Sequence, residues 1–84
     1  MKSVAMRFLP EENQAPVVVA SGEGILGEKI LTIAKKNQIP VVKDKNLAET
    51  LSYLPIDKEI PENLYKAVSA IFRFIIELER ENLR

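Results

Sequence analysis

The chain contains no cysteine and no histidine. Without cysteine there is no disulfide, no thiol nucleophile and no thiolate metal site. Without histidine, the commonest general base near neutral pH and the commonest metal ligand are both missing. Any catalysis has to rest on carboxylates, Lys, Tyr, Ser or Thr, and no nucleophile–base–orienter set can be assembled from them. Net charge is absent too: 12 Lys and Arg balance 12 Asp and Glu, whereas nucleic-acid binders carry a basic excess. No apolar run approaches the roughly 20 residues of a membrane span. The N-terminal MKSVAMRFLPEEN lacks the continuous apolar stretch of a signal peptide. The expectation is a cytoplasmic, non-enzymatic protein that needs no cofactor and does not insert into the membrane.

At 84 residues the chain makes one domain, residues 1–84, of modest stability, because a chain this short buries only about 60% of its unfolded surface. SVAMRF alternates: Val4, Met6 and Phe8 point one way, Ser3, Ala5 and Arg7 the other, as in a half-buried strand over residues 3–8. LPEENQAP reads as a loop. Pro16-Val17-Val18-Val19-Ala20 is a continuous β-branched run, typical of a strand covered on both faces. A helix follows, with Ile25, Leu26, Ile30, Ile33 and Ala34 at helical spacing. Ser21 is its expected N-cap, and Lys35 and Lys36 sit in its last turn, where the dipole favours cations. Either Asn37 or Gln38 turns the chain out, and Asn tolerates the left-handed conformation better. Pro40-Val41-Val42-Lys43 reads as a second buried strand.

Asp44 is expected to cap a helix carrying Leu47, Leu51 and Leu54. Pro61 suits the first position of a last helix over 61–80. There Leu64, Val68, Ile71, Ile75 and Leu78 form one stripe, with Tyr65, Phe72 and Ile76 beside it. An apolar surface this wide exceeds what one small sheet needs, which leaves a packing helix, a docking face or a homodimer contact open. The expected fold is α/β. A small mixed sheet of about three strands, with a right-handed βαβ unit made by 16–20 and 40–43, is packed by three helices. Strand 3–8 is antiparallel to its neighbour, since the loop after it is too short for a parallel crossover.

Gly22-Glu23-Gly24-Ile25-Leu26-Gly27 is a literal G-x-G-x-x-G between strand and helix, with Asp44 placed where a ribose-binding acid would stand. The alternative reading is therefore a small nucleotide-binding βαβ protein using Gly22, Gly24 and Gly27. Against it, Glu23 and Glu28 set carboxylates where a pyrophosphate would lie, at a cost of several kcal/mol in low dielectric. The acids Asp57, Glu59 and Glu62 and the turn Lys43-Asp44-Lys45 read as solvated loops.

SVAMRF, APVVVASGEG, KILTIAKKNQIPVVKDKNLAETL and EIPENLYKAVSAIFRFIIEL resemble, in order and spacing, the cytoplasmic domain of the FlhB/YscU family. These are the export switch proteins of flagellar and virulence type III secretion. IPVVKDKNLAETL and EIPENLYKAV are the most specific segments. The family keeps a Gly at the place of Gly22 and varies at Gly24 and Gly27, so the resemblance makes the glycine fingerprint accidental. The family's hallmark Asn-Pro-Thr-His, whose Asn cyclises and cuts the chain, falls just before SVAMRF and has no counterpart here. Self-cleavage is therefore not carried over. The family also has a membrane domain ahead of this region and a strand before the cleavage site.

The resemblance implies a free-standing copy of the cleaved fragment, a protein-interaction module placed at the inner face of the membrane near the export gate. Its partners would be components or substrates of the export apparatus. The contact residues it suggests are the strand edge Ser3, Val4, Ala5, Met6, Arg7 and Phe8, and the exposed loop Lys43, Asp44, Lys45 and Asn46.

Overall fold

The computed structural model describes residues 1–82. Strand β1 (Lys2–Arg7) is followed by β2 (Val17–Glu23), helix α1 (Ile25–Lys36), helix α2 (Lys45–Leu51), one 3-10 turn (Glu62–Leu64) and helix α3 (Tyr65–Asn82). The α/β class and the three helices match the expectation. β1 and β2 form a two-stranded antiparallel sheet. A bulge interrupts the register: Ala5 faces Ala20 and Met6 faces Val18, which leaves Val19 as the extra residue.

The third strand is a correction. Residues 40–43 lie outside any strand, so no βαβ unit closes. Val41 and Val42 are 44% and 38% exposed rather than buried. A strand needs a free edge to pair with, and the start of the outer edge of β2 is already taken. Asp57 N–H donates to the Val18 carbonyl at 2.8 Å and Ile60 N–H to the Pro16 carbonyl at 2.9 Å, with an antiparallel bridge between Val17 and Glu59. Asp57 enters this clamp at φ 66°, in the left-handed region, and Glu59 Oε2 accepts from Gln14 N–H at 2.8 Å. Main-chain bonds thus tie residues 57–60 to the start of β2, and the Glu59 carboxylate ties them to the loop before it.

Helix ends follow local chemistry. Asp44 caps α2, its Oδ1 accepting from Leu47 N–H at 3.1 Å. Ser21 does not cap α1, because β2 continues to Glu23; the cap is Gly24 at φ 61°. At the far end of α1, Gln38 rather than Asn37 takes the left-handed conformation (φ 58°). Ile39 N–H reaches the Ala34 carbonyl and Gln38 N–H the Lys35 carbonyl, a Schellman closure. Asn37 keeps φ −99° and its Nδ2 donates to the Ile33 carbonyl at 2.8 Å. Pro61 precedes the 3-10 turn in an extended conformation, and α3 proper begins at Tyr65.

One core holds these elements together. Ala15, Val18, Leu51, Ile60 and Val68 are buried, and Val4, Met6, Leu47, Leu54, Leu64 and Phe72 pack around them. α1 packs on both strands and α2 on β1. The apolar stripe of α3 meets this core at Leu64, Val68 and Phe72 and then runs past it, leaving Leu78 exposed.

Candidate docking surface

β1 has β2 on one side only. Among the described residues, no backbone hydrogen bond joins residues 2–7 to anything but β2. In an antiparallel pair alternate backbone groups point away from the partner, so β1 presents a row of unpaired donors and acceptors. The six candidate residues of this segment divide by role. Val4 and Met6 pack against the core, so their side chains are not offered to a partner. Ser3 and Ala5 are half-buried, and Arg7 and Phe8 are exposed. Phe8 lies just beyond β1 rather than within it.

Lys43, Asp44, Lys45 and Asn46 are all exposed at the head of α2. α2 joins this loop to β1. Leu47 shares the core with Val4 and Met6, Lys2 Nζ stands 3.7 Å from Glu49, and Lys2 lies over the Tyr53 ring at 5.1 Å. The two predicted patches thus sit on elements in direct contact. Asp44 has a structural duty as well, since its carboxylate holds the first turn of α2.

Phe8 belongs to a feature that sequence reading missed. Its ring meets Phe72 edge-on, centroids 6.4 Å apart at 63°. Together with Pro16, Tyr65 and Ile76 the two rings line a groove of about 450 Å³, flanked by Arg73 and Arg80. The signal was present in the second stripe of the last helix, Tyr65, Phe72 and Ile76, but nothing local says that Phe8 comes to it.

The glycine turn is built for packing. Gly24 N–H donates to the Met1 carbonyl at 2.8 Å. A Cβ on Gly27 would lie 2.6 Å from that same oxygen and 3.0 Å from the Gly22 carbonyl, and one on Gly22 would lie 2.4 Å from Leu26 Cγ. The N-terminal residue therefore occupies the turn where a phosphate would be cradled, which overturns the nucleotide-binding alternative at Gly22, Gly24 and Gly27. The neighbouring hollow, lined by Lys2, Ser21, Gly22, Glu23, Ser52 and Tyr53, is open and small, about 290 Å³. Among the described residues no three metal-ligating side chains gather, and no helix is long and apolar enough to cross a membrane.

Comparison with known proteins agrees with this architecture. The SpaS C-terminal domain superposes with a TM-score of 0.92 over 100% of this chain and 98% of its own, at 18% identity, a likeness of fold. The PscU C-terminal domain matches at 0.82 and 25% identity, covering 88% of this chain and 95% of its own. In sequence, the uncharacterized protein YlqH of Bacillus subtilis is 38% identical over 78 residues, 93% of this chain and 84% of that protein. The flagellar biosynthetic protein FlhB of Aquifex aeolicus is 40% identical over 75 residues, 88% of this chain but 21% of its own length. The chain thus spans about a fifth of the flagellar proteins it matches. The longer relatives that it matches in part carry the name flagellar biosynthetic protein. With the family profile matching residues 2–75, the chain belongs to the FlhB HrpN YscU SpaS family.

Proposed function

We propose that the chain is a non-enzymatic docking domain of the export apparatus, contacting its partners through the open edge of β1 and the adjoining Lys43–Asn46 loop. The partners are protein components or substrates of flagellar or type III export. The place of action is the cytoplasmic face of the membrane, beside the export gate. The observation that carries this reading is the asymmetry of the sheet: residues 57–60 pair with the start of β2 on its outer side, while β1 is paired on one side along its whole length. An extended segment of a partner adds to such an edge through main-chain hydrogen bonds, with side-chain pockets supplying selectivity. The groove at Phe8, at the end of the same strand, gives the added chain a place for one apolar side chain.

The test is capture of export-apparatus proteins on the immobilised domain, with hydrogen exchange read on β1 in the complex. Binding is expected to slow exchange of amides within residues 2–7. Val4→Pro, which removes an amide facing away from β2 in the middle of β1 and keeps an apolar side chain toward the core, is expected to abolish capture. Capture that leaves β1 exchange unchanged would remove the edge as the contact, and no capture at all would remove the docking role.

A further inference from the structure

The outer face of α1 is apolar and basic at once. At about 100° per residue, Ile25, Lys36, Lys29, Ile33 and Leu26 fall in that order within about 100° of arc. Ile25 is 83% exposed, Ile33 55% and Leu26 53%, and both lysines are exposed. No acid falls in the arc, since Glu28 lies about 60° beyond Ile25. The opposite side of the helix carries Gly27, buried, and Ala34, half-buried, toward the sheet.

The same character continues past the helix. Ile39, Val41 and Val42 are exposed, and Lys43 follows them. From Lys29 to Lys43 the chain holds four lysines and no acid, so every carboxylate of this neutral chain lies elsewhere. The one ion pair among the described residues, Lys2 with Glu49, involves none of the four. Exposed aliphatic side chains this frequent exceed the isolated surface apolars that need no explanation.

We infer that the outer face of α1 adsorbs the domain onto an anionic phospholipid bilayer, lying among the headgroups without crossing them. Charge selects the occupant, because lysines with no carboxylate beside them are drawn to an anionic surface. Shape selects lipid over an acidic protein. The face is the convex side of a helix, and neither hollow described above is lined by any of its residues, so nothing on it receives a particular side chain of a partner. A bilayer requires no such fit. Aliphatic side chains enter between headgroups, while lysine stems lie along the interface with their ammonium groups at the phosphates. α1 packs on both strands, so this face points away from the sheet and the edge of β1 stays open to the side. Lipid contact is therefore independent of docking through that edge.

Co-sedimentation of the full chain with vesicles tests this, using phosphatidylcholine alone and phosphatidylcholine mixed with phosphatidylglycerol. Binding is expected to the anionic vesicles only, and to fall as salt rises from about 0.05 to about 0.5 M and the Debye length shrinks. Lys29→Gln and Lys36→Gln should each lower the partition coefficient about 5-fold, and Lys29→Arg should keep it. Ile25→Ser should lower it by a similar factor through lost apolar area, with an unchanged circular-dichroism melt because the side chain is exposed. These positions lie outside β1 and the Lys43–Asn46 loop, so capture of export proteins is expected to survive all four substitutions. A chain that ignores anionic vesicles at low salt would overturn the inference and leave the face to an acidic protein. Equal binding to neutral vesicles would overturn it by removing charge as the cause. Anionic binding that none of the Gln and Ser variants weakens would overturn it by placing the contact elsewhere.

Discussion

Gly27 shows how one missing side chain sets the start of this fold. Its hydrogen faces the Met1 carbonyl, which also accepts from Gly24 N–H, so the first residue of the chain is fastened to the head of α1. Gly27→Ala puts a methyl against two backbone oxygens and forces the Met1 carbonyl away. The expected loss is about 1–3 kcal/mol, seen as a fall in Tm of roughly 4–8 °C per kcal/mol for a domain of this size. Asp44 acts by a different means, through a single accepted hydrogen bond at the first turn of α2. Asp44→Ala should cost about 1 kcal/mol in urea unfolding, and Asp44→Ser a fraction of that, because a hydroxyl can still cap. A loss of function in Asp44→Ala therefore has to be read beside its stability. Lys43 and Lys45, with no such duty, are the cleaner probes of the docking loop.

Among the elements, α3 divides into a half that holds the core and a half that extends past it. Val68 is fully buried, and Val68→Ala is expected to lose about 2 kcal/mol. Phe74→Ala, six residues on and exposed, should change stability by no more than about 0.5 kcal/mol. Denaturant titration of both variants distinguishes the two halves. Legibility follows the same boundary between local and remote causes. The helices were readable because their caps and stripes are written within a few residues: Asp44 before Leu47, lysines at the end of α1, Leu64 and Val68 one turn apart. Residues 40–43 were misread because strand identity depends on who lies alongside. The β-branched pair Val41-Val42 has the right propensity, but the start of the outer edge of β2 is held by residues 57–60, and nothing in that acidic loop announces it. The strand edge of the candidate site was likewise legible, whereas the meeting of Phe8 with Phe72 depends on a contact between the two ends of the chain. At the exit of α1 the preference of Asn for the left-handed region was outweighed, because the hydrogen bond from Asn37 Nδ2 to the Ile33 carbonyl holds Asn37 in place and passes the turn to Gln38.

For the whole molecule, one small core supports three outward surfaces: the edge of β1, the groove at Phe8 and the outer face of α1. A domain of this size has little stability to lose, so substitutions that test function belong on those surfaces and away from Val18, Leu51 and Val68. The central claim is that β1 is an edge strand open to a partner along its length, while β2 carries β1 on one side and residues 57–60 at the start of the other. Amide hydrogen exchange of the free domain, resolved by residue, tests it most directly. About half of the amides in residues 2–7 should exchange as fast as unprotected backbone, while the β2 amides that donate to β1 and the Asp57 and Ile60 amides exchange only with opening of the core. Uniform slow exchange along β1, equal to that of β2, would mean that the edge is already covered and would contradict the account.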